Sequence, residues 1–153
     1  MKFISHRGNL NGARPDLENN PSQIEEVIGL GYDCEIDIWY IDGKIFLGHD
    51  EAQYLIDSSF LRINASRLWV HCKNVEALLW CQNSQIKNLN YFWHQEDKVT
   101  LTSLRFVWAY PGFQPIDESV AVMPEINNET QLTTCIGICS DIIEIYRKNY
   151  GKI

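Results

Sequence analysis

Glu35 and Asp37 are separated by a single residue, Ile36, inside a run that alternates in the manner of a strand. Side chains on a strand alternate faces, so both carboxylates point the same way, with Cys34, Ile36 and Ile38 opposite. Two carboxylates on one inward face repel each other unless a cation or a proton compensates. Oxygen ligands at this spacing suit Mg²⁺ or Ca²⁺. The polar face of a half-buried strand accounts for the same triplet without a metal. His6-Arg7-Gly8 and Gly48-His49-Asp50 add two imidazoles, each at the end of an apolar run. Imidazoles can serve as general base and general acid because their ordinary pKa lies near working pH. A turn carrying a structural histidine is the alternative for Gly48-His49-Asp50.

His71-Cys72-Lys73 supplies the third group, with Trp69, His71 and Lys73 on one strand face. A buried-facing lysine is costly without an anion, which makes phosphate a natural partner and a salt bridge to Glu35 or Asp37 the alternative. Arg7 has the fork geometry for bidentate contact with phosphate, and a structural pair with Glu18 is its alternative. Phosphodiester cleavage needs positive charge on the non-bridging oxygens, a base for the nucleophile and an acid for the leaving alkoxide. These residues provide that set. Trp108 and Tyr110, the latter just before Pro111-Gly112, are candidates to cover a substrate, with plain core packing as the alternative. His94 is a further polar group at a strand end.

Such residues need a scaffold that gathers strand ends. Alternating patterns predict strands over residues 3–5, 33–41, 44–48, 68–73, 91–94, 105–110, 120–123 and 136–139. Asn20-Pro21-Ser22-Gln23 reads as the capped start of a helix that stops at Gly31, with Gln23 at the reciprocal capping-box position. Asp42-Gly43 marks a hairpin, and Asn74 caps a helix running to about Gln82. Helices are also expected near residues 129–135 and 141–149. Strands alternating with helices predict an α/β fold with a parallel sheet. The polar clusters sit where strands end, as they do at the C-terminal mouth of a (β/α) barrel. A full eight-unit barrel takes about 250 residues, so 153 residues predict a shortened or incomplete TIM-type barrel.

The chain reads as one domain, residues 1–153, with 45% hydrophobic and 22% charged residues. Its net charge of -7 argues against an extended nucleic-acid surface, while leaving room for a small basic pocket. No segment approaches the ~18 apolar residues of a membrane span, and the N-terminus lacks the apolar core of a signal peptide. The five cysteines are scattered without zinc-ribbon spacing. Free thiols and no leader fit a cytoplasmic protein, and the Lys/Arg-poor surface favours a water-soluble phosphodiester over a bilayer lipid. A truncated barrel would expose apolar faces, so self-association is expected.

His6-Arg7-Gly8, Glu18-Asn19, Glu35-Ile36-Asp37 and Gly48-His49-Asp50, in this order and spacing, resemble the N-terminal signature of glycerophosphodiester phosphodiesterases. That family belongs to a wider phosphatidylinositol-specific phospholipase C-like group, and the matched stretch covers roughly the first third of the chain. The resemblance implies a TIM-type barrel in which His6 and His49 perform acid-base catalysis. It implies Glu35 and Asp37 as ligands of a divalent metal, Mg²⁺ first with Ca²⁺ or Mn²⁺ as alternatives. Arg7 and Lys73 would contact phosphate, and Glu18 and Asn19 would stand behind them. Two positions depart from the pattern. His71 stands where the family has a glutamate ligand; it can ligate but adds no negative charge, which weakens Mg²⁺ and favours a softer ion such as Mn²⁺ or Zn²⁺. Leu17 replaces the proline before Glu18. The expectation is a metal-dependent hydrolase of a small glycerophosphodiester-like substrate. The alternative is an inactive barrel that binds a phosphorylated ligand or a protein partner.

Overall fold

Asn20 begins the first helix, α1 (Pro21–Gly29), by accepting hydrogen bonds from the amides of Ser22 and Gln23, with Pro21 in the first turn. The expected capping box does not close. The Gln23 side chain instead donates to the Gly8 carbonyl at 3.3 Å, tying α1 to the loop after the first strand. Gly31, at φ +88°, ends the helix in a Schellman motif, with its amide on Ile28 O and that of Tyr32 on Val27 O. The computed structural model describes residues 1–151.

The strands are β1 (Lys2–His6), β2 (Asp33–Ile41), β3 (Lys44–Leu47), β4 (Tyr54–Ile56), β5 (Leu68–Cys72), β6 (Asn90–Trp93), β7 (Val99–Leu101), β8 (Val107–Ala109), β9 (Val120–Val122) and β10 (Gly137–Ser140). The remaining helices are α2 (Ser58–Asn64), α3 (Val75–Asn83) and α4 (Ile143–Tyr150), with a 3₁₀ turn over Pro124–Asn127. Strands β6, β5, β2, β1, β10, β9 and β8 lie side by side in that order, each parallel to the next. β3 and β4 extend the upper half of β2 as an antiparallel hairpin, and β7 adds antiparallel to β8.

This sheet curls. Trp69 of β5 and Trp108 of β8 are remote in strand order, yet their rings stack 5.4 Å apart, and Phe92 of β6 lies 4.9 Å from Trp108. With Ile4, Val120, Val122 and Cys139 they form one buried cluster on the concave face. Between β6 and the segment carrying β7, side chains do much of the work of a backbone ladder. Thr100 Oγ1 donates to Trp93 O, Tyr91 N donates to Ser103 Oγ, and one main-chain bond runs from Ser103 N to Tyr91 O. The result is an α/β incomplete barrel. Two further clusters pack outside it, one under α2, α3 and the hairpin, the other under α1 and α4.

The expected helix over residues 129–135 is absent. Leu132 and Cys135 are buried there, but the segment forms turns, consistent with its polar, threonine-containing sequence. β4, α2 and β7 lie outside the sequence-based expectations. α2 has a local signal in Asp57, whose side chain accepts from Ser59 N at 2.8 Å. No helix among the described residues is long and apolar enough to cross a membrane, and all five cysteines are free and buried.

Candidate active site

The lower end of the concave face is plugged. Asp33 accepts from Lys2 Nζ and Arg67 Nη1, each at 3.1 Å, and from Trp69 Nε1 at 3.2 Å. The C-terminal strand ends form the opposite, open end, where a cavity of about 420 Å³ has formed. His6, Arg7, Glu35, His49, His71 and Lys73 all line it, as do Trp108 and Tyr110. Trp108 is 2% exposed and belongs to the packed floor, so its contact with the cavity is an edge of core. Tyr110 stacks on His94 at the rim. Burial, followed by the field of Glu35, pushes its hydroxyl pKa upward. Glu125, another strand-end acid, lies elsewhere and accepts from Ser140 Oγ and Tyr146 Oη.

His6 is the last residue of β1, and the chain turns immediately, with Arg7 in the left-handed region at φ 55°. A side chain there is strained, and the turn is secured from both sides: Arg7 N donates to Glu35 O, and Asn19 N donates to Arg7 O. His6 Nδ1 lies 2.8 Å from Asp141 Oδ1, which also accepts from Asn9 Nδ2 at 2.8 Å. The bond to Asp141 fixes the ring so that Nε2 faces the cavity, 3.9 Å from Glu35 Oε2. Burial lowers the His6 pKa, but the Asp141 hydrogen bond and the field of Glu35 outweigh it and leave the pKa raised. Asn9 and Asp141 are the neighbours of this candidate site that sequence reasoning passes over.

His49 reaches the cavity because of Gly48. At φ +146°, a Cβ on Gly48 would collide with the Glu51 carbonyl, so only glycine fits. Trp39 Nε1 donates to Gly48 O at 2.7 Å and steadies the turn. His49 Nδ1 pairs with the exposed Asp50 at 2.7 Å. Partial burial lowers the His49 pKa, and Arg7 and Lys73 add to that effect against Asp37 and Asp50. The two imidazoles thus share one cavity and are pushed in opposite directions.

Arg7 and Lys73 keep both of the readings they have in the sequence. Each lines the cavity, and each is also held by a carboxylate: Arg7 Nη1 on Glu18 Oε2 at 3.1 Å, and Lys73 Nζ near Asp37 Oδ1 at 3.7 Å. Asn19 exchanges two hydrogen bonds with Asp37, 3.0 Å from its own Nδ2 and 2.8 Å to its Oδ1 from the Asp37 amide. Glu18 also accepts from Asn9 Nδ2, which links it to Asp141.

Glu35, Asp37 and His71 each offer a ligand atom, all within 4.8 Å of one another. Glu35 Oε2 is buried with no hydrogen-bond partner among the described residues, which is what a cation would satisfy. Burial, then the Asp37 charge, raises the Glu35 pKa. The other two ligands are engaged. Asp37 Oδ1 meets His71 Nδ1 at 2.9 Å, and Oδ2 meets Asn19 Nδ2 and Arg7 Nε. Burial opposes the Asp37 charge, but the His71 hydrogen bond and the fields of Arg7 and Lys73 hold its pKa well below the usual carboxylate range. His71 Nε2 sits 3.1 Å from the His94 carbonyl, and its ring stacks on Phe92. As arranged, the trio does not fit a divalent cation: both His71 nitrogens face oxygens, and Asp37 already has the positive charges of Arg7 and Lys73 beside it.

Comparison of the chain with protein-family models, with curated proteins and with solved structures finds no match.

Proposed function

We propose that this protein hydrolyses a small, soluble glycerophosphodiester-like substrate on a phosphatidylinositol-specific phospholipase C-like barrel. The observation that carries this reading is the convergence of His6, His49, Arg7 and Lys73 on one cavity at the C-terminal strand ends. Arg7 and Lys73 hold the non-bridging oxygens. His49, with its lowered pKa, takes the proton from a hydroxyl adjacent to the phosphate. That oxygen bonds to phosphorus as the bond to the leaving oxygen breaks, giving a cyclic phosphate. His6, with its raised pKa and Asp141 behind it, gives its Nε2 proton to the departing alkoxide. The roles reverse when water opens the ring, so both imidazoles return to their starting states. Divergence of two pKa values within one cavity is the usual basis for separate acid and base roles.

The family resemblance would place a Mg²⁺ ion, or Ca²⁺ or Mn²⁺, at Glu35 and Asp37 to add positive charge at the phosphate, and the residues as arranged do not fit it. The spare Glu35 oxygen favours it, whereas the engagement of Asp37 and His71 opposes it. The test is a panel of glycerophosphodiesters and an aryl phosphodiester, with each metal and with chelator. The expected outcome is turnover that both His6→Ala and His49→Ala abolish on the glycerophosphodiesters. Silence across the whole panel would favour binding without turnover.

A further inference from the structure

We infer that the positive charge a divalent cation would bring to this cavity is supplied by the chain's own side chains, so that phosphate binds here without a metal. The inference rests on the proposed phosphodiester site and concerns how that site holds its anion. It starts from Asp37, which is fully buried on β2. Two hydrogen bonds reach its oxygens, from His71 Nδ1 at 2.9 Å and Asn19 Nδ2 at 3.0 Å, and two cationic groups stand beside them without hydrogen-bonding, Arg7 Nε at 3.2 Å and Lys73 Nζ at 3.7 Å. A cation bound to Asp37 would sit beside Arg7 and Lys73, where like charges repel.

His71 is no freer. Its nitrogens face the Asp37 carboxylate and the His94 carbonyl, so neither directs a lone pair into the cavity, whatever the tautomer. The arrangement follows from register, because Asp37 and His71 are paired residues of the parallel β2 and β5 strands. Only Glu35 remains as a donor, and hard cations bound through one carboxylate rely on substrate and water for the rest of their shell. Meanwhile Arg7 and Lys73 are 19% and 16% exposed in their side chains and line the cavity, so an entering anion meets both. Arg7 offers a planar fork and Lys73 a compact point charge, a combination suited to a tetrahedral oxyanion.

The experiment is calorimetric titration of the whole protein with inorganic phosphate, in chelator and then in Mg²⁺, Ca²⁺ or Mn²⁺. Phosphate affinity should agree within about twofold across these conditions, and titration with each metal alone should leave the thermal midpoint unchanged. In His71→Glu the donor to Asp37 is lost and a third carboxylate is gained. That variant should lose phosphate binding in chelator by about tenfold or more and acquire a midpoint that rises with Mn²⁺ or Mg²⁺. If His71→Glu does not fold, the wild-type titrations still decide. A tenfold gain in wild-type phosphate affinity on adding metal, or no phosphate binding in chelator, would overturn the inference. Phosphate binding in chelator without turnover of any phosphodiester would leave it standing and remove the hydrolase reading.

Discussion

His6 Nδ1 and Asp141 Oδ1 lie 2.8 Å apart although 135 residues separate them in the chain. Parallel pairing of β1 with β10 creates this contact, placing the first strand's end beside the last one's. The carboxylate holds the imidazole in one tautomer and favours its protonated form. Replacing Asp141 by Asn removes the charge and keeps the shape. Asp141→Asn should cut kcat/KM by about 10²-fold or more. It should also move the alkaline limb of the pH profile to lower pH, because an acid with a lower pKa loses its proton sooner. A merely structural role would change the thermal midpoint and leave that limb in place.

The proposed acid and base roles should separate by leaving group. An alkyl alkoxide needs a proton as it departs, whereas a nitrophenolate does not. His6→Ala should therefore recover about 10²-fold of its loss when the leaving group is nitrophenolate. His49→Ala, which lacks the base, should be equally impaired with both leaving groups. Release of nitrophenolate in a single-turnover assay reads this step alone, and equal losses in the two variants would reverse or remove the assignment.

Gly48 makes a third expectation. Any Cβ at this position meets the Glu51 carbonyl, and the backbone conformation is one that L-residues rarely adopt. Gly48→Ala should cost about 1–3 kcal/mol of stability. Because the same turn delivers His49, activity should fall further than the lost stability predicts. Thermal unfolding and kcat measured well below the midpoint separate the two effects.

What was legible in the sequence is what depends on local pattern. The alternation of residues 33–38 puts Asp33, Glu35 and Asp37 on the concave side and Cys34, Ile36 and Ile38 under the outer helices, where they are fully buried. Asn20 and Gly31 mark α1 because capping is decided within a few residues. Long-range register was hidden. Nothing in the spacing of Asp37 and His71 reveals that β2 and β5 set them opposite each other as a hydrogen-bonded couple. Asp141 follows an expected strand, but its contact with His6 exists only because β10 lies next to β1. The seam near β6 was also hidden, since Thr100 and Ser103 act there through side chains rather than through a strand pattern.

Glu35 and Asp37, one residue apart on β2, should have opposite effects on stability. Burial and the neighbouring Asp37 charge raise the Glu35 pKa, and its Oε2 has no hydrogen-bond partner among the described residues. A carboxyl whose folded pKa lies above its unfolded value of about 4.3 favours folding below that value. It gives up that contribution as pH rises through the raised pKa. Glu35→Gln should therefore stabilise the fold at pH 7 by about 1 kcal/mol, with the gain vanishing near pH 4. Asp37 is the reverse case: its depressed pKa contributes stability above about pH 3.9 that is lost only as pH falls through the folded value. Asp37→Asn leaves Arg7 and Lys73 without their shared counter-charge and should cost about 3–5 kcal/mol at pH 7, less in acid. Denaturant titrations of both variants at the two pH values check this, and a loss of stability at pH 7 in Glu35→Gln would show that its pairing with His6 outweighs its burial.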